Sequence, residues 1–321
     1  MYRSILVPLD DSGFGEHALG IALGIARRAG ARLEFAHVHV PMSPRQALAG
    51  PPLDAGETTK REAAYLQALL GRVRSAGVEC GAEILEGAIV DALLRSIHDR
   101  AVDLVVMATH GRDALQRAWF GGIADPLVRR SGLPVLLARA SDDAPPARWE
   151  DGFTEILVPL DGSTLAEQVL EHAIALGTPG FTRYTLLRVE TPLPVVRPYA
   201  PIANGADLAV TIRTRTAAEA YLAGIARRLR ARRLEVRAEA VIASNPATAI
   251  VEYALAQPVE LIALATHGRG GLSRLLLGSM AERLVRTAPA PVLLFRPGAK
   301  VGSVRRTRRN GFRLAGPVGL P

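Results

Sequence analysis

Short apolar runs alternate with amphipathic stretches along this chain. Residues 5–9 form a compact apolar run. Residues 15–29 then place Ala18, Ala22, Ile25 and Ala26 at the three-and-four spacing of a helix with one buried face. A second run follows at 33–40, then a long helix over 61–76 with Leu66, Leu69, Leu70 and Val73 inward. The spacing predicts strands at 83–86, 104–108 and 135–138, with helices over 89–100 and 123–130 between them. Strands that are apolar throughout are buried on both faces. Separated by amphipathic helices, they predict an α/β fold on a doubly wound parallel sheet of five strands. Ligands in such sheets sit at the carboxyl ends of the strands, where the strand order reverses.

The whole pattern then occurs again. Residues 4–12 return as 155–163 with seven of nine positions identical, and 104–139 return as 261–296 with 18 of 36 identical and no gap. Chance at average composition would give about two matches in the longer window. The offset is 151 residues for the first block and 157 for the second, so six residues enter between them, within the Pro- and Ala-rich 190–207. Residues 141–152, with two Pro and three Asp, have the composition of a linker. Two tandem five-stranded domains are expected, over 1–140 and 153–297, related by a pseudo-two-fold axis.

Composition narrows the class. Hydrophobic residues are 49% and charged residues 22% of the 321, which is globular. No apolar run reaches the ~20 residues that cross a bilayer, and residues 1–4 enter the first strand without a signal-peptide pattern, so a cytoplasmic protein without membrane contact is expected. The single cysteine, Cys80, excludes an intramolecular disulfide. The +8 charge belongs mostly to the stretch after Pro297, where six cations and no acid form a Gly- and Pro-punctuated tail, 298–321, expected to be mobile. That tail has Phe312 alone for base stacking, so a solvated tail is favoured over nucleic-acid contact. No Gly-Lys pair exists, which rules out a GxxxxGK[ST] phosphate loop.

The strand ends carry the candidate chemistry. The first strand closes on Pro8-Leu9-Asp10 and its repeat on Pro159-Leu160-Asp161. Such an acid can accept hydrogen bonds from a ribose or an amino group, or it can serve the following helix as a cap, with Ser12 competing for that role. The fourth strand closes on Met107-Ala108-Thr109-His110-Gly111-Arg112 and on Leu264-Ala265-Thr266-His267-Gly268-Arg269. Past each lies a second glycine site, Gly121-Gly122-Ile123 and Gly278-Ser279-Met280, where a helix is expected to begin. A glycine loop feeding a helix N-terminus offers unpaired amides and a positive dipole end, which suit phosphate.

These residues carry a resemblance. Ile-Leu-Val-Pro-Leu-Asp, the His37-Val38 pair, and Thr-His-Gly-Arg followed by Gly-Ser resemble the universal stress protein family, over about 290 of the 321 residues. Its ATP-binding members carry Gly-x2-Gly-x9-Gly-(Ser/Thr). Here Gly268, Gly278 and Ser279 match in the second domain, while Ala108 and Ala265 replace the first glycine. The resemblance implies ATP with Mg²⁺ as ligand, an adenine pocket around Val38 or Val189, and a contact from Asp10 or Asp161. It further implies that two domains pair through their last strands, 135–138 and 292–295, here within one chain, with a homodimer possible. The first domain departs further, with Gly122 for the Ser/Thr and with Asp113, Trp119 and Phe120 inside its loop. An acid there repels a triphosphate unless a cation intervenes. The second domain is therefore ranked the better site.

Other constellations lack partners in the sequence. His37 and His39 share a strand face, but no HExxH motif or Cys/His cluster accompanies them, and His110 and His267 have no acid–base partner at short range. Ser12 and Ser163 lack a GxSxG elbow. No catalytic residue is assigned. The expected function is an ATP-binding stress-response regulator. A slow adenine-nucleotide hydrolase, or a pair of structural domains without nucleotide, are the alternatives.

Overall fold

The computed structural model describes residues 1–10, 15–39, 55–109, 120–139, 152–192, 205–266, 278–298 and 311–314. They fall into two compact units, Met1–Asp151 with Gly298–Pro321, and Gly152–Pro297.

In the first unit, β1 (Ser4–Leu9), β2 (Arg32–His39), β3 (Cys80–Glu86), β4 (Leu104–Thr109) and β5 (Val135–Arg139) lie in the order β3-β2-β1-β4-β5, all parallel. The helices are α1 (Glu16–Ala29), α2 (Ala55–Ser75), α3 (Ile89–Asp99) and α4 (Asp125–Arg130). Ala18, Ala22, Ile25 and Ala26 of α1 and Leu66, Leu69, Leu70 and Val73 of α2 are all buried, as the spacing required. Helix α1 stops at Gly30, whose left-handed φ of 62° lets its N–H reach the Ala26 carbonyl.

The second unit repeats the plan. Strands β6 (Glu155–Pro159), β7 (Arg183–Glu190), β8 (Glu235–Ile242), β9 (Leu261–Ala265) and β10 (Val292–Phe295) lie in the order β10-β9-β6-β7-β8, again all parallel. Its helices are α5 (Thr164–Glu167), α6 (Val169–Leu176), α7 (Gly205–Ala231), α8 (Pro246–Ala256) and α9 (Ser279–Thr287). The doubly wound parallel sheet holds in each unit.

Four elements differ from expectation. Helix α2 begins six residues early, because its polar first turns show no apolar period. Strand β3 begins at Cys80, through Gly81. The helix expected over 123–130 is a π-turn, Phe120–Ala124, followed by α4. Pro126 has no N–H to donate to the Gly122 carbonyl, so a regular α-helical bond is lost at that point. Within the tail expected to be mobile, β11 (Gly311–Leu314) pairs antiparallel with β3, Gly311 opposite Leu85 and Leu314 opposite Ala82. An edge strand presents a row of unsatisfied N–H and C=O groups, and a short segment covers part of that row here. The first sheet thus has a sixth strand.

Beneath β2 and β3 the first unit buries charge. The Arg100 guanidinium, 9% exposed, donates to Glu34 and, at 2.9 Å, to Glu83. Ser96 also donates to Glu83, and Arg32 pairs with Glu34 at 2.6 Å. A Cβ on Gly81 would come within 2.9 Å of both Arg32 Nη2 and Glu34 Oε2, which explains a glycine in mid-strand.

Candidate functional site

In the second unit the chain runs outward from β6 through β7 to β8, then returns to the other side of β6 for β9 and β10. The direction therefore reverses between β6 and β9, and their carboxyl ends open a crevice there. Ile156 lies in register with Leu261 and Leu157 with Ile262, so Asp161 and Thr266 both stand just past the ends of adjacent strands.

Each side of that crevice is built locally. Leu160, buried, donates its N–H to the Leu187 carbonyl at 2.8 Å, extending β6 by one residue. The Asp161 carboxylate accepts the Ser163 amide at 2.9 Å, and Ser163 Oγ accepts the Ala166 amide at 3.1 Å as the N-cap of α5. The cap therefore belongs to Ser163, and Asp161 folds the turn that leads to it. Ser163→Ala should cost about 1 kcal/mol. Urea unfolding would read the loss, and an unchanged midpoint would remove the cap from this account.

On the other side, Leu264 is buried, Ala265 half-buried, and Thr266 donates its N–H to the Phe295 carbonyl at 2.8 Å. The Thr266 hydroxyl is buried with no hydrogen-bond partner. Its counterpart Thr109 donates to the Ala138 carbonyl at 3.3 Å.

Because β9 and β10 are parallel, the helix between them must begin on the carboxyl side of the sheet. Helix α9 does so at Gly278, extended at φ −48° and ψ 146°. Residues 278–280 are exposed, and a Cβ on Gly278 would meet nothing within 4 Å. The Gly278 carbonyl accepts the Glu282 amide at 3.1 Å. The amides of Ser279, Met280 and Ala281 precede that bond and have no carbonyl within the helix to use. This is an anion-binding terminus in the physical sense.

In the first unit the corresponding residues are arranged differently. Pro8 and Leu9 close β1 and Asp10 follows, half-buried, while Met107 and Ala108 are buried in β4. Gly121 and Gly122 lie inside the π-turn rather than at a helix start, and Ile123 is buried where Met280 is 37% exposed. Asp125 is buried at that turn and pairs with Arg129 at 3.0 Å. The expectation that the second glycine site opens a helix thus holds for α9 and not for α4. His110, Gly111, His267, Gly268 and Arg269, with Asp113 and Trp119, lie outside the described residues.

Val38 and Val189 sit one strand outward, and alternation turns them to the face opposite their neighbours. Those neighbours form two clusters that the sequence alone does not assemble. In the first unit His37 and His39 converge on buried Glu62 of α2. In the second, the Arg188 guanidinium lies 5.0 Å from the Tyr221 ring centre and 2.5 Å from Glu190. The Tyr221 hydroxyl donates to Glu167 at 3.2 Å, and Arg228 holds the same carboxylate at 2.5 Å. Burial pushes the Tyr221 phenol well above its usual range, with the charges of Glu167 and Asp161 adding to it. Partners 54 residues apart have no signal a linear reading could use. Among the described residues, no group of His, Cys, Asp and Glu is placed to hold a metal ion, and no helix is long and apolar enough to cross a membrane. Cys80 is buried, and that burial raises its thiol, as suits an unreactive side chain.

Comparison with known proteins matches this geometry to a family. The universal stress protein family is matched twice, over residues 1–139 and 152–296, and the chain belongs to it. A universal stress protein of Mycobacterium tuberculosis is 29% identical over 200 residues, which cover 60% of this chain and 62% of that protein. The chain therefore spans about three fifths of that relative's length. A universal stress protein of Thermus aquaticus is 30% identical over 144 residues, 43% of this chain and all of its own. The crystal structure of one from Archaeoglobus fulgidus is similar with a TM-score of 0.63 at 17% identity, over 92% of this chain and 98% of its own. At that identity the likeness carries the fold alone.

Proposed function

We propose that this universal stress protein binds an adenine nucleotide, ATP with Mg²⁺, at the strand-end crevice of its second unit, and acts as a stress-response regulator in the cytoplasm rather than as a fast enzyme. The observation that carries this reading is the start of α9. Gly278, Ser279 and Met280 are exposed there with open space above the glycine, on the side of the sheet where Thr266 keeps a buried, unpartnered hydroxyl. Backbone amides with no carbonyl to use within their helix, and a hydroxyl without a partner among the described residues, fit a phosphate chain. Asp161 stands across the crevice, suited to accept from a ribose. Since the described residues offer no metal-ligating cluster, Mg²⁺ would arrive on the phosphates and keep most of its water.

The first unit is read as the weaker site. Its glycine pair is spent inside a helical turn, and the Asp125 carboxylate is buried beside it. Equilibrium dialysis with ATP and Mg²⁺ should accordingly saturate near one nucleotide per chain. Two sites of equal affinity would overturn the ranking, and no binding would overturn the reading. A slow hydrolysis would show as ADP or AMP released over hours from the saturated protein.

A further inference from the structure

The end of β1 is held by a histidine whose two ring nitrogens both have partners. His37 lies on β2 beside it, and its Nδ1 is 3.2 Å from the Leu9 carbonyl oxygen. A carbonyl only accepts, so Nδ1 carries a hydrogen and donates it. The other ring nitrogen, Nε2, is 3.2 Å from Glu62 Oε1. That second contact is attractive only if a proton lies between the two atoms, on the imidazole or on the carboxyl. His39 Nδ1 meets the same carboxylate at 2.9 and 3.0 Å. The side chains of His37 and Glu62 are 8% and 7% exposed, so water screens little of this. Glu62 thus has two imidazoles against it, and His37 has both nitrogens committed.

We propose that Glu62 is a positioning residue: through His37 it sets the Leu9 carbonyl, and so the backbone entering Asp10, according to whether the shared proton is present. With the proton in place, one ring bridges β1 and α2 by two hydrogen bonds. Once the proton leaves, the Nε2 lone pair faces a buried carboxylate oxygen. The ring must then turn or withdraw, and its bond to Leu9 goes with it. Among the described residues, other titratable and charged groups at this end of the unit include Asp10 itself, His17 in the first turn of α1, Lys60, Arg61 and Tyr65 around Glu62 on α2, and Glu86 in register with His39 on β3.

The corresponding positions of the second unit carry no imidazole. The position 151 residues on from His37 is Arg188, and that from His39 is Glu190. A guanidinium stays charged throughout the range in which imidazoles titrate. The two strand-end crevices therefore differ in kind, one proton-linked and one not. The consequence for ligand affinity rests on the nucleotide reading above, while the coupling itself belongs to the protein alone.

The test follows the backbone amides of Leu9 and Asp10 and the histidine rings by NMR on the full chain, between about pH 5 and 8. The amides should shift with the same midpoint as the His37 ring. In His37→Asn the side-chain amide can keep a donor on the Leu9 carbonyl but cannot gain or lose a proton, so the amide transition should vanish in a folded protein. In Glu62→Gln no carboxylate faces Nε2, so the Leu9 and Asp10 amides should no longer follow the His37 ring. Amides that do not move in the wild type, or that move identically in His37→Asn, overturn the proposal. A separate arm measures ATP with Mg²⁺ in Gly278→Val, where only the first unit can bind. Affinity there should change about fivefold or more across the same range. Absence of ATP binding with the amide coupling intact would count against the nucleotide reading of this unit and leave the coupling standing.

Discussion

Gly278→Val should abolish ATP binding to the second unit while the protein stays folded. The backbone at this position, φ −48° and ψ 146°, is open to any L-residue, and a Cβ meets no neighbour. The residue is exposed, so stability should change by no more than about 0.5 kcal/mol. The isopropyl group would instead stand over the amides at the start of α9, where the phosphates are placed. Hydrogen bonds to a charged group contribute about 1.5–3 kcal/mol each, so displacing the phosphates from two amides should weaken binding about a hundredfold or more. Titration calorimetry reads the affinity and circular dichroism the fold. Gly122→Ala is the matched control in the first unit. It lies in a helical turn with open space around it, and should leave both affinity and stoichiometry unchanged. A folded Gly278→Val protein with wild-type affinity would remove this loop from the site.

The contrast between those two glycine sites also shows what the sequence could carry and where it stopped. Alternation of apolar runs and amphipathic stretches was enough for the strands, the parallel order and the buried faces of α1 and α2. Those features depend on local periodicity, which each segment states for itself. The internal repeat located the crevice twice. It could not separate Gly121-Gly122 from Gly278-Ser279, because the difference rests on Pro126, five residues past the first of the pair, and on what its missing N–H does to the turn. The acid at the strand end is a cap candidate by sequence, and only the bond geometry assigns the cap to Ser163. Glu62, Tyr221 and Glu167 carry no local signal in the sequence. Each gains its meaning from a partner on another element, and no period in the chain links α2 to His37 or α7 to α5. The tail is the opposite case. Its charge pointed to solvent, while pairing of Gly311–Leu314 with β3 uses backbone groups that composition does not register.

Arg100 poses the same problem of distant partners, with the largest stability effect expected in this protein. Its guanidinium reaches Glu34, 66 residues away, and Glu83, 17 residues away, and all three side chains are largely buried. Arg100→Met fills similar volume but leaves two carboxylates near each other without their shared cation. Arg32 still serves Glu34, so Glu83 loses most, retaining among the described residues only the Ser96 hydroxyl. Breaking a buried pair from one side costs about 3–5 kcal/mol, since the remaining charge can neither be paired nor reach water. The first unit should unfold at much lower urea, and amides of the second unit should keep their hydrogen-exchange protection, because the cluster lies wholly in the first. Replacing the whole cluster, Arg100→Met with Glu34→Gln and Glu83→Gln, should recover most of the stability even at neutral pH, since no uncompensated charge is left. If the triple variant is as unstable as the single one, the loss comes from packing of the arginine stem and not from stranded charge. If Arg100→Met is no less stable than wild type, the cluster contributes nothing to the fold.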